Sequence, residues 1–354
     1  GVPILMQAAQ LLKYAQLLTF FLMLTWLYRM DSSSRPDLHK IVRILTGLVF
    51  LIATIQVFTG LEFPTVVNEE SGLWLNTYFY TPNDLALFLC GVFCLVLCGN
   101  ASTLTKVAFF VGFIALNLRN DAKAAILASF LMIGMFAFVR ICFWLRLRPF
   151  VGLMILLSLI IVIIANANDN VIEFGVSEFN VFQLFQDPFV RIINLEPYNL
   201  GGSIFDRTDA LIYSIEAMKS MSWFGLGPGG SVYNLSLPNY ELLTAKSLHN
   251  AIAEIFFEFG LASLFAFYVL LKPFIRALLT KRPTSQQICL MCLVAASPLL
   301  SVSQSSGYIS NYAFWLTAFL IWYPVSMAHR DSRQALSMGH ALSGFSNPVR
   351  PVKS

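Results

Sequence analysis

Apolar residues fill this chain in long blocks, and the charged residues gather in the connectors between them. A hydrocarbon slab about 30 Å thick needs roughly 20 apolar residues at a rise of about 1.5 Å each. The blocks predict nine spans, at 8–30, 41–60, 84–99, 106–118, 122–143, 150–167, 249–271, 286–303 and 308–327. Several are short, and polar groups tilt or interrupt the second to fifth. The expected fold is an all-α polytopic membrane protein with one large, partly helical outward loop. It divides into amino-terminal membrane helices (1–167), the loop (168–248), carboxy-terminal membrane helices (249–327) and a polar, basic, mobile tail (328–354).

Composition strengthens this reading. Of 354 residues, 57% are hydrophobic and only 12% charged, about half the charge that a soluble domain carries on its skin. The net charge of +4 suits basic connectors on one side of a membrane. It does not form the single basic face that nucleic acid requires.

The placement of Lys and Arg sets the orientation. One set of connectors holds Arg35, Lys40 and Arg43; Lys106; Arg146 and Arg148; Lys272, Arg276, Lys281 and Arg282; and Arg330 and Arg333. The alternate set holds 61–83, which has acids and no Lys or Arg, the turn at Arg119, and 168–248, with nine acidic and four basic residues. The first set is therefore expected in the cytoplasm and the second outside. This puts Gly1 outside and predicts an odd number of helices ahead of it. Alternatively, 8–30 is not one simple span, because Gln7, Gln10, Lys13 and Gln16 weaken its first half.

The outward segment is longer than an ordinary connection, and its many aromatics predict order. Phe179, Phe182 and Phe185 recur every three residues and suit a helix lying in the bilayer interface. A second helix is expected from Asp206 as N-cap, with Leu211, Ile215 and Met218 on one face, stopping at the glycine run 225–230. That run lacks the Lys-Ser/Thr ending and the preceding strand of a nucleotide loop, so its expected role is to end the helix and turn the chain.

Candidate chemistry is sparse. His39, His329 and His340 lie in basic flanks or the tail, whereas His249 closes the outward loop and opens a span. No second His or Cys stands at ligand spacing from it, so no zinc site is expected there. Cys90, Cys94 and Cys98 share one helix face, and Cys142, Cys289 and Cys292 also fall in apolar runs. Packing is the expected use of these small apolar side chains, with a metal or redox site as the sharper reading. Arg119, Arg191 and Arg207 lie on the outward side. Arg119 pairs locally with Asp121 or binds an anion, and guanidinium forks match phosphate oxygens. Arg207, in the first turn of its helix, adds the positive end of the backbone dipole. Arg191 sits in an interfacial stretch, near a lipid head group or a substrate phosphate. Together these residues suit an anionic, lipid-linked substrate.

The loop and its flanks resemble the O-antigen polymerase and O-antigen ligase family of bacterial membrane glycosyltransferases. Arg207-Thr208-Asp209-Ala210-Leu211 resembles the family's Arg-x-x-x-Leu element, and Trp223-Phe224-Gly225-Leu226-Gly227 the glycine turn after it. His249-Asn250 with Gly260 resembles its His-x(10)-Gly element, and Glu258-Phe259-Gly260 its Glu-x-Gly ending. Thr81-Pro82-Asn83-Asp84 resembles its Pro-Asn start of a span, and Arg119 its post-span Arg, with Leu118 where Ser is common. The resemblance covers residues 80–330 and implies transfer of a glycan from an undecaprenyl-pyrophosphate carrier to an acceptor hydroxyl, without metal or other cofactor and without a nucleotide sugar. By position it implies His249 as general base and Arg207 and Arg119 on the pyrophosphate. Arg191, Asn250 and Glu258 are further substrate contacts. The implied place is the bacterial inner membrane with the site facing the periplasm. The implied partners are the lipid-linked oligosaccharide, an acceptor glycan (a lipid-linked repeat or lipid A-core), membrane lipid and polysaccharide-assembly proteins, with no nucleic acid. Polymerase is the preferred branch and ligase the alternative. A lipid-linked glycan flippase would instead show paired repeat halves with buried mid-span charges, and a scaffold role ranks lower still.

Overall fold

The computed structural model describes residues 3–30, 37–59, 79, 82–120, 122–167, 173–174, 177–178, 190–197, 203–220, 223–230, 233, 250–302 and 311–343. In chain order the helices are α1 (Ile4–Arg29), α2 (Leu38–Thr59), α3 (Pro82–Cys98), α4 (Thr103–Arg119), α5 (Lys123–Trp144), α6 (Pro149–Ala167), α7 (Ser203–Ser220), α8 (Ala251–Phe259), α9 (Leu261–Leu279), α10 (Ser285–Val302) and α11 (Tyr312–Ser343). A two-residue antiparallel pair, β1 (Glu173–Phe174) with β2 (Ser177–Glu178), interrupts them. Among the described residues, α1, α2, α5 and α9 are long and apolar enough to cross a membrane, and shorter apolar helices lie at Asn83–Cys98, Pro149–Ser158, Ser285–Ser301 and Tyr312–Met327. Their outer faces stay apolar, with Leu18, Leu22, Trp26, Leu51, Phe58 and Phe265 all exposed. A soluble surface would not carry so much, whereas lipid solvates it. The protein is a multi-pass membrane protein.

The centre of the bundle is α3, packed by α10, α11, α5, α4 and α2. Leu85 through Cys90 are all buried, so α3 shows no amphipathic stripe, as befits a helix enclosed on every side. Phe93 sits among Phe109, Phe110 and Phe113 of α4, with ring centroids 6.2, 5.5 and 5.5 Å away. Gly91 lets α11 approach, since a Cβ there would strike Thr317. The seam between α1 and α11 is aromatic: Phe20 meets Tyr312 at 5.2 Å, Phe21 meets Trp315 at 5.6 Å, and Tyr28 meets Tyr323 at 4.9 Å. Asp37 starts α2, accepting the Lys40 backbone N–H at 3.0 Å. That bond first, then the nearby Arg43, holds the Asp37 carboxyl below its ordinary range.

Three expectations change. The span predicted at 249–271 is broken at Gly260 into α8 and α9. The helix predicted from Asp206 begins at Ser203, which puts Arg207 in the second turn, where the dipole field has largely decayed. The tail expected to be mobile from 328 is helical to Ser343, in line with its Ala, Arg, Gln, Leu and Met content. The interfacial helix predicted around Phe179, Phe182 and Phe185 lies outside the described residues.

One side chain ties the start of the central helix to its neighbour. Asn311 accepts the Phe314 N–H at 3.0 Å as a cap and donates Nδ2 to the Asp84 carbonyl at 2.8 Å. Asn311→Ala removes both bonds and is expected to destabilise by about 1–3 kcal/mol. Asn311→Asp keeps the cap acceptor but sets a buried carboxylate oxygen against the Asp84 carbonyl, so it should cost at least as much as alanine. Thermal unfolding in detergent checks both, and an unchanged midpoint for the alanine variant would show that the bridge contributes nothing.

Candidate functional site

The break at Gly260 is built by the loop that follows α7. Gly260 has φ +56° and ψ −140°, a region that only glycine occupies comfortably. Here the helical ladder stops, and its orphaned groups find partners in the glycine run. Leu226 N–H donates to the Phe257 carbonyl at 2.8 Å, and Gly227 N–H to the Glu258 carbonyl at 3.0 Å. In return, Leu261 N–H donates to the Trp223 carbonyl at 3.1 Å. Interrupted helices survive at membrane depth only where protein satisfies the freed backbone in this way.

The backbones meet too closely for side chains. A Cβ on Gly260 would strike the Trp223 carbonyl oxygen, and one on Gly225 would lie 2.7 Å from the Gly260 nitrogen. Gly225, Gly227 and Gly229 all take positive φ, at 94°, 81° and 73°. The glycine run therefore does more than turn the chain: it splints a broken helix.

Glu258 completes the splint. Its Oε1 accepts the Gly229 N–H at 2.9 Å, and its Oε2 accepts the Tyr14 hydroxyl at 2.8 Å. Gln10 is buried one turn before Tyr14 on the same helix, while Lys13 adds a positive charge nearby. The Tyr14 ring also packs edge-on against Phe259 at 5.1 Å. Gln10 and Lys13, which weaken α1 as a span, thus lie with Tyr14 on the face that receives Glu258. Glu258 is only 3% exposed with both oxygens engaged, so in this structure it braces the fold.

At the other end of α8, Asn250 is the N-cap, accepting the Ala253 N–H at 3.1 Å. Helix α7 packs on α8 through Ala210, Met218 and Phe257, with Leu211, Ile215, Leu226 and Phe256 around them. The predicted face of Leu211, Ile215 and Met218 is the one α7 uses. The structure so brings together Asn250, Glu258 and the helix that carries Arg207, whose side chain lies outside the described residues, as does His249. Arg119 is the exposed last residue of α4, and Arg191 is half-buried in a helical turn at 190–194.

Sequence reasoning does not reach Tyr14 or Gly229. The available signal is the polar i, i+3, i+4 set in α1, because polar residues in membrane helices generally serve a partner.

Gly260→Ala forces its Cβ into the Trp223 carbonyl and is expected to cost about 1–3 kcal/mol. The loop should then release from α8, read as faster limited proteolysis between Trp223 and Gly230. Tyr14→Phe keeps the ring contact and loses one hydrogen bond, for about 0.5–1.5 kcal/mol. Protection equal to the parent in both variants would remove the splint from the account.

No curated protein matches this chain. Residues 107–268 match the family model described as O-antigen ligase. The matched segment runs from α4 through the start of α9 and contains Arg119, Arg191, Arg207, His249, Asn250, Glu258 and the break at Gly260. The match, over a little under half of the chain, makes this segment similar to the O-antigen ligase family and agrees with the resemblance of its ordered motifs.

Proposed function

We propose that this protein transfers a glycan from an undecaprenyl-pyrophosphate carrier to an acceptor sugar hydroxyl on the periplasmic side of the inner membrane, acting as a polymerase. One observation carries the reading: the helix whose N-cap directly follows His249 is anchored at its far end by the glycine splint and Glu258. A base placed beside such a helix is held to a small set of positions, which is what an oriented proton transfer needs.

In this mechanism the acceptor oxygen attacks the anomeric carbon of the donor and the bond from that carbon to the pyrophosphate oxygen breaks. The hydroxyl proton passes to His249, whose neutral imidazole is the accepting form. Arg207 and Arg119 hold the pyrophosphate and stabilise the charge that grows on it, with Arg191 as a third contact. The N-terminus of α8 adds a positive dipole end on the same side as His249. The amide nitrogen of Asn250 is oriented by its capping oxygen and offers a donor to the glycan. The metal-independent character of the transfer belongs to this proposal, as does the assignment of 168–248 as a periplasmic loop. Polysaccharide-assembly proteins would be its partners.

The description of the matching family as O-antigen ligase favours a second reading, in which the acceptor is lipid A-core. Purified protein with a synthetic undecaprenyl-pyrophosphate oligosaccharide separates the two. A product ladder without lipid A-core means polymerase, product only with lipid A-core means ligase, and no product in either arm overturns the transferase reading. A flippase would move the lipid-linked donor across vesicles without forming product. His249→Ala is expected to lower turnover by about 10²–10⁴-fold, and Arg207→Ala by about 10²–10³-fold, with insertion and folding intact. Undiminished turnover in His249→Ala would remove it as the base.

A further inference from the structure

The glycine loop opens on two large aromatics that face away from the protein, with Trp223 37% and Phe224 83% exposed. Trp223 holds φ +65°, a strained conformation for a bulky residue that persists only where neighbours fix it. Its carbonyl accepts the Leu261 N–H, which sets the aromatic pair at the first residue of α9.

The polarity of the chain changes at this level. Helix α9 alone is long and apolar enough to cross a membrane, and its exposed face carries Leu261, Leu264, Phe265 and Tyr268. On the other side of Gly260, α8 buries two acids, Glu254 and Glu258. Helix α1 makes the same change beside it. Gln7, Gln10 and Lys13 precede Tyr14, whereas the exposed Leu18, Leu22 and Trp26 follow it. The two changes coincide in space, because the Tyr14 ring packs on Phe259 at 5.1 Å. Helix α11 begins at this level too, since the Tyr312 hydroxyl donates to Gln16 at 3.3 Å. Asn311, through the Asp84 carbonyl, brings the start of α3 to the same layer. Three helices thus start in one layer, and α1 passes through it.

Hydrocarbon ends in such a layer. Trp and Tyr concentrate there, because a ring with a polar edge suits the head-group region. Tyr14, Tyr312 and Trp223 all stand in it. Phe224 has no polar edge and continues the apolar face of α9, which lipid already covers, so lipid is the partner that fits it.

We propose that Trp223 and Phe224 anchor the glycine loop in the bilayer interface, with the head-group region of the adjoining leaflet as their partner. The edge of the hydrocarbon then runs through Gly260. Helix α9 lies inside it, and α8 rises from it, carrying its capping residue Asn250 about 14 Å away along the helix axis. This placement goes beyond the glycan-transfer reading and stands without it, because it sets the depth of α8 and not the chemistry at its end.

The full chain is studied in vesicles of phosphatidylethanolamine and phosphatidylglycerol. Nitroxide labels are placed at Phe224→Cys, Ile252→Cys and Phe265→Cys, whose parent side chains are exposed. The unsubstituted protein, with its buried cysteines, gives the background. Spin relaxation by oxygen, which collects in hydrocarbon, and by a water-soluble nickel chelate reports depth. The label at 252 is expected in water, the label at 224 about 5–10 Å into the boundary of head groups and acyl chains, and the label at 265 deeper. Intrinsic fluorescence gives a second measurement. The emission lost in Trp223→Phe should be quenched more by lipid brominated near the head group than by lipid brominated near the chain end, and hardly by aqueous iodide. A label at 224 as open to nickel as the one at 252 would overturn the proposal, because a tip kept for a glycan or a partner protein stands in water. So would a label at 252 shielded within hydrocarbon, a label at 224 as deep as the one at 265, or Trp223 emission quenched by iodide and not by bromine.

Discussion

Three backbone hydrogen bonds between the loop at 223–227 and the chain at 257–261 hold the candidate site in its shape. Within an apolar bundle, a helix that stops must surrender carbonyls and N–H groups that water does not reach, and each one left alone costs several kcal/mol. The glycine run supplies partners to those groups, and its supply fixes where it lies. The loop and the break are therefore one unit. Neither conformation is tenable without the other, because Gly260 at positive φ with a lost ladder is unfavourable until Leu226, Gly227 and Trp223 arrive.

The same constraint explains the side chains around it. Three hydrogen bonds of ordinary strength would still permit a swinging motion. The Glu258 carboxyl adds two more attachments, to Gly229 on the loop and to Tyr14 on α1. An acid taken into an apolar bundle requires donors on its oxygens, and here the donors come from different elements. That converts the cost of burying Glu258 into a three-way junction of α1, α8 and the loop. The amino-terminal helix, largely exposed along its apolar length, thereby acquires a fixed place at the site. Its aromatic seam with α11 supplies the second anchor.

Much of this was legible in the residues, for reasons of different strength. Membrane character follows from block length alone, and the α7 face of Leu211, Ile215 and Met218 follows from helical spacing, so both match the structure. The ordered motifs around Arg207, Gly225 and Gly260 lie within the segment that matches the O-antigen ligase model. The break inside 249–271 was not legible, because a lone glycine in an apolar run is compatible with a continuous helix. What decides against continuity is a long-range partner, the loop at 223–227. The role of Glu258 was hidden for the same reason: its partners are far off in sequence, at Tyr14 and Gly229. Likewise, spacing put Cys94 and Cys98 on one face but could not bring Cys289 to them.

The distribution of rigidity follows from these contacts. Helices α3, α5, α10 and α11 form the packed centre, with α3 enclosed almost completely and drawn against α11 by Gly91 and the Asn311 bridge. The candidate site is not within that centre but beside it, on α7, α8 and the glycine loop, and its attachment is mainly polar and directional. A bundle core held by apolar contact has no preferred rotation about its helix axes finer than its packing, whereas hydrogen bonds orient groups to within a few tens of degrees. Directional attachment at α8, set on a close-packed base, is thus the arrangement that can hold a short helix end at one angle while lipid laps the outer faces of the same bundle.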